Sequence, residues 1–152
     1  MSTTSKPFRG LGWRCLSVRQ PWAWALVNGF KPLENRDYMP NYRGPLVIHA
    51  GKTLGCIRGG FEFECYEVAV LAGLGGLLPD CSNEAGGLVG MVQLTGTVTS
   101  SSSPWFSGPI GWCVERAEAW PFVPWKGRQG IWTLTVEEEH TICVQLEGCG
   151  RI

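Results

Sequence analysis

The sequence is poor in charge, in histidine and in close cysteine spacing. Only 17% of its 152 residues are charged, against roughly 25% in ordinary soluble proteins. Thirteen basic and thirteen acidic side chains cancel, so the chain is neither a charge-driven nucleic-acid binder nor an acidic disordered tail. The two histidines, His49 and His140, stand far apart, and none of the seven cysteines forms a Cys-x-x-Cys pair. That spacing excludes an ordinary zinc site, and the odd count argues against a disulfide framework. The thiols then read as small buried hydrophobes in a reducing compartment. No apolar run approaches the roughly 18 residues of a membrane span, and the opening Met-Ser-Thr-Thr-Ser-Lys-Pro lacks an apolar signal core. A soluble, cytoplasmic protein is expected.

Familiar nucleotide loops and nucleophile motifs are also missing. Gly51-Lys-Thr53 has Leu46 where a phosphate-binding loop needs its first glycine. Gly73-Leu-Gly-Gly76 has neither the spacing nor the preceding strand of a dinucleotide site. No nucleophile-elbow pattern occurs.

What the chain does hold is enough length for one domain and eight tryptophans to fill it. Alternation predicts strands over Arg14–Val18 and Leu88–Val98, the apolar run Pro45–Ala50 reads as a buried strand, Trp112–Glu118 and Gly130–Val136 read as strands, and Lys31–Asp37 reads as a short one. Pro21–Asn28 reads as a helix opened by proline and closed by Gly29. Phe61–Ala72 reads as a second helix, its apolar side at Phe63, Tyr66, Val70 and Leu74. Residues 1–13 are expected to be a flexible segment, 14–136 the domain, and 137–152 an acidic tail in which Thr141–Gln145 adds an edge strand. Short strands with two helices suggest an α+β fold built on a curved sheet or small barrel.

Charge is distributed unevenly along this neutral chain. Residues 1–60 hold nine Lys or Arg and two acids, a net +7, while residues 61–152 carry −7. Such asymmetry marks an anion-binding surface, unless the halves interleave and pair their charges. The basic half concentrates Arg19, Gln20, Lys31, Glu34, Asn35, Arg36, Arg43 and His49 around Ser17 and Trp22. Arginine and lysine suit phosphate oxygens, tryptophan offers a stacking face, and Glu or Asn can read a base edge. On a strand, Glu34 and Arg36 share one face.

Three segments of that half also carry a family likeness: Leu-Ser-x-Arg-Gln-Pro-Trp-Ala (16–23), Gly-x-Lys-x-x-Glu-x-Arg (29–36) and Tyr-Arg-Gly-Pro-Leu-x-Ile-His-Ala (42–50). Leu88–Val98 and Pro124-Trp-Lys-Gly-x-x-Gly-Ile-Trp-x-Leu134 extend the pattern more weakly. Together they resemble the ASCH (activating signal cointegrator homology) domain of the PUA-like superfamily. The resemblance implies a PUA-like pseudo β-barrel of about five to six strands with flanking α-helices, and a cleft lined by the Gly-x-Lys motif. Related domains bind RNA, some recognise modified bases, and certain small members are N4-acetylcytidine amidohydrolases or ribonucleases. In the amidohydrolase pattern the lysine activates a threonine three residues later. Lys31 matches that lysine, but Glu34 stands at the threonine position.

The expected function is binding of RNA, single-stranded or modified, or of a nucleoside or nucleotide, in a basic cleft, without cofactor or metal. Arg19, Lys31, Arg36 and Arg43 would neutralise phosphate, Trp22 would stack, Glu34 and Asn35 would select the base, and Ser17 would present its hydroxyl. Alternatives stand beside several of these. Glu34 can pair internally with Arg36 or Arg43, Arg19 and Arg43 can cap loop carbonyls, and His49 fits a satisfied core histidine. A hydrolase using Glu34 as general base and Lys31 as oxyanion partner is the second reading. A protein-interaction surface around Pro104–Phe106 and Trp120–Trp125 is the third.

Overall fold

The computed structural model describes residues 12–54 and 60–148. Nine elements follow in order: β1 (Arg14–Val18), α1 (Trp22–Val27), β2 (Leu33–Arg36), β3 (Gly44–Ala50), α2 (Phe61–Leu71), β4 (Gly87–Val98), β5 (Ile110–Pro124), β6 (Ile131–Thr133) and α3 (Val136–Gly148). The expected flexible segment lies almost wholly outside the described residues. No helix among the described residues is long and apolar enough to cross a membrane.

The six strands form one sheet in the order β2-β5-β4-β3-β1-β6. Only β1 and β3 run parallel, and the chain between them supplies α1 and β2 as the crossover. Register shifts at Ile48/His49 in β3 and at three points along β4–β5 bend the sheet into a half-barrel, because each bulge adds local twist. The result is an α+β fold of six strands and three flanking helices.

Strand alternation sorts the core onto two faces. Cys15, Val47 and Trp132 point with Trp13, Trp120, Ile142 and Leu146 into a cluster under α3. Leu16, Val18, Leu46 and Ile48 point the other way, against Ala23 and Leu26 of α1 and Trp112 of β5. Each fully buried leucine or isoleucine contributes about 1.5–3 kcal/mol relative to exposure. The seating of α1 depends on Gly90. A Cβ there would stand 2.2 Å from the Glu118 carbonyl oxygen and 2.8 Å from Val27, so only glycine lets helix and strand approach.

Four expectations change. β5 runs through Pro124, absorbing the segment read as a connection after Glu118. Residues 137–148 form α3, not an acidic tail with an edge strand at Thr141–Gln145. Thr135 and Glu138 open that helix as a reciprocal cap: Glu138 N–H donates to Thr135 Oγ1 at 3.0 Å, and Thr135 N–H to Glu138 Oε1 at 2.9 Å. Ile142, Cys143 and Leu146 then face inward, and Glu139 is buried accepting the Trp13 N–H at 2.7 Å. α2 is rotated from its expected face. Phe63, Tyr66, Val70 and Leu74 are exposed, while Glu64, Val68 and Ala69 are buried. Finally, Trp105 and Trp120 are buried, so neither ring offers the exposed apolar surface expected there, although Pro104 and Pro124 beside them are exposed.

Candidate functional site

Two strand ends and a loop enclose a cleft of about 610 Å³. Its walls are the end of β1 with Arg19, the side chain of Trp22, Lys31 and residues 34–38, the inner side of α2, and the segment Pro104–Pro109. Asn35 builds the last wall. Its Oδ1 accepts the Ser107 and Gly108 N–H groups at 2.9 and 3.1 Å, and its Nδ2 donates to the Trp105 carbonyl at 3.0 Å. Expected to select a base, Asn35 instead has its amide committed to holding Trp105 in place. Trp105 meets Trp22 edge to face, 6.5 Å between ring centres, an arrangement the ring quadrupoles favour.

Glu34 sits between two cations. Lys31 Nζ donates to Glu34 Oε1 at 3.0 Å and to the Leu33 carbonyl at 2.9 Å, and Arg36 Nε donates to Glu34 Oε2 at 3.0 Å. Both carboxylate oxygens are thus held. Glu34 and Arg36 do share a strand face, and the internal pair is the geometry found. Lys31 also lies 5.8 Å from the centre of the Trp22 ring, within cation–π reach. Arg36 reaches on, donating to the Ser17 carbonyl at 2.7 Å and lying over Trp112 at 5.9 Å.

Ser17 and His49 form a second arrangement. His49 Nε2 is 2.8 Å from the Trp125 carbonyl oxygen, which can only accept, so that nitrogen carries the proton. Nδ1 then accepts from the Ser17 hydroxyl at 3.0 Å. Burial lowers the His49 pKa from its ordinary 6.5, opposed by the Trp125 hydrogen bond. Gly127 closes over the pair, since a Cβ there would stand 2.5 Å from His49 Cε1 and 2.8 Å from Ser17 Oγ. Ser17 borders the cleft; His49 is a satisfied core histidine that pins the chain at Trp125.

Two other expected ligand residues lie elsewhere. Gln20 is buried, its Nε2 donating to the Glu84 carbonyl at 3.0 Å and its Oε1 accepting the Trp24 N–H at 2.9 Å. It fixes the turn into α1 instead of facing a ligand. Arg43 is exposed and donates to the Tyr42 carbonyl at 3.0 Å, outside the cleft lining.

The cleft is not basic, contrary to expectation. Its lining holds Arg19, Lys31 and Arg36 against Glu34, Asp37, Glu64 and Glu67. Positive charge gathers in an adjoining groove of about 810 Å³, lined by Arg36 and Arg128 without any acid. Ser17, Arg36 and Tyr38 border both, so the two spaces are lobes of one groove. Arg128 and Glu64 were not singled out from the sequence. The first had a signal in the Lys-Gly-Arg-Gln-Gly run at 126–130; the second was masked by the apolar spacing of its own helix.

A family model described as the ASCH domain matches residues 16–149, a span that includes α3. The chain is similar in fold to the ASCH protein of Zymomonas mobilis, at 14% identity. A serine-to-alanine variant of that protein aligns over 92% of this chain and 98% of its own with a TM-score of 0.52. The unsubstituted protein aligns over 88% and 94% with a score of 0.49, and a tyrosine-to-phenylalanine variant over 88% and 96% with a score of 0.49. No curated protein matches the chain.

Proposed function

This chain belongs to the ASCH domain family, and from that premise we propose that its two-lobed groove binds one nucleotide unit, either free or within single-stranded RNA, in a cytoplasmic protein. The base occupies the lobe walled by the Trp22–Trp105 pair, and the phosphate faces Arg36 and Arg128. One observation carries this reading: an aromatic-walled cleft opens directly into an acid-free cationic lobe, with Arg36 on the seam. Both volumes lie within the roughly 300–1,000 Å³ of small-ligand sites. Arginine suits phosphate through its planar, paired donors.

The test is titration of a fluorescent single-stranded RNA at several salt concentrations. One phosphate neutralised on a single strand gives a log–log salt slope of about −0.7. No binding, or binding indifferent to salt, removes the phosphate half of the reading. Hydrolysis by Lys31 and Glu34 has weaker support, because both oxygens of Glu34 are already held by cations. Product formation from N4-acetylcytidine or RNA, followed by mass and lost in Lys31→Ala, would favour it.

A further inference from the structure

Glu64 is an anomaly that the phosphate reading leaves unused. It is 3% exposed, it lines the aromatic lobe, and its Oε1 has no hydrogen-bond partner among the described residues. Burying a carboxylate oxygen unpaired costs several kcal/mol. The first turn of α2, where Glu64 lies, offsets part of this through the positive helix end. The remainder asks for a donor, and the two polar side chains that β2 sends to the lobe already have theirs: Glu34 is held by Lys31 and Arg36, Asn35 by the backbone of 105–108. The lobe also carries one more acid than base, which disfavours a phosphate there and favours a neutral or cationic group rich in N–H.

We infer that Glu64 is the specificity-determining acceptor of the groove, taking an exocyclic amino group of the bound base. This rests on the nucleotide-binding reading and narrows it. Cytosine, adenine and guanine each present an amino group. Uracil presents a single N–H flanked by two carbonyl oxygens, both of which a carboxylate repels. The groove is therefore selective for amino-bearing bases, with the carboxylate supplying the pairing that glutamate makes with the cytosine amino group in base readout.

The test compares rC8 with rU8 at pH 7.5, two probes of equal charge and ring size, on wild type and Glu64→Gln. The expected result is about a tenfold or greater preference for rC8, within the discrimination of one good side-chain–base pair. It falls to within about threefold in Glu64→Gln, while the salt slope stays unchanged. A second measurement needs no variant: N4,N4-dimethylcytidine, which has lost both amino hydrogens, should compete at least tenfold less well than cytidine against rC8. Equal binding of rC8 and rU8 by wild type, an undiminished preference in Glu64→Gln, or equal competition by the two nucleosides overturns the role of Glu64 and leaves nucleotide binding standing. Failure of both oligomers to bind overturns both.

Discussion

Lys31 Nζ donates to Glu34 Oε1 across 3.0 Å in a wall where the lysine is 4% exposed. The same carboxylate takes Arg36 on its other oxygen. The motif most suggestive of ligand chemistry thus satisfies itself first, and delivers Arg36 to the seam between the lobes as a by-product. This makes the pair a scaffold for the site, because neither charge can move without stranding the other.

Removing that carboxylate should be costly to folding. Glu34→Ala leaves Lys31 buried without its counter-ion, and the expected loss is about 3 kcal/mol, the lower end for breaking a buried pair. Arg36, at 23% side-chain exposure, can recover hydration and holds the figure down. Urea unfolding measures it. A loss below about 1 kcal/mol would mean the pair behaves as a surface bridge.

His49 should make stability depend on pH. In the fold its pKa is lowered, chiefly by burial, while the unfolded chain binds the proton near the ordinary 6.5. The unfolded state therefore holds more protons as pH falls below that value. The contribution is fully present above pH 6.5 and is lost as pH drops toward the folded-state pKa. Urea midpoints of wild type and His49→Gln, taken between pH 8 and 5, should converge toward the acid end. A constant gap between the two would refute the assignment.

Two glycines of one strand should respond oppositely to the same substitution. Gly90→Ala drives a methyl into the Glu118 backbone and Val27, so a loss of about 2–3 kcal/mol is expected from overpacking. Gly96 has nothing within 4 Å of its would-be Cβ; Gly96→Ala should be neutral or stabilise by up to about 1 kcal/mol through the unfolded chain. Thermal melts of both variants decide the matter, and equal effects would contradict the close packing of α1 on β4.

The arginines should separate in RNA titrations. Arg128→Gln is expected to weaken binding and to flatten the salt slope, which one neutralised phosphate on a single strand sets at about −0.7. Arg43→Gln, outside both lobes, should leave the slope unchanged. A reversed pattern would move the phosphate path to the Tyr42 side of the sheet.

Local features of the site were legible along the chain. Glu34 and Arg36 alternate, so a strand there had to place both on one face, and the structure does. The Thr135-x-x-Glu138 spacing that caps α3 was present as well, yet the acidic residues after it were read as a tail. The inward face of α2 was not legible. Its acidic and apolar residues both recur at helical spacing, and hydrophobicity chooses the wrong set when the helix buries an acid against a cleft.

The sequence by itself determined strands β1 to β4, the crossover helix and the segment from which most of the groove's charged residues come, because backbone period and turn chemistry act over a few residues. It also carried the ASCH signature. Only the tertiary structure decided which of those charges line the groove. Pairing of Glu34, commitment of Asn35 and Gln20 to backbone groups, and burial of Glu64 at the wall of the aromatic lobe each depend on partners brought together by folding. An ionisable side chain's role is set by which opposite charges and hydrogen-bond partners come within about 3 Å, and for Asn35 and its wall that distance closes over some 70 residues of chain.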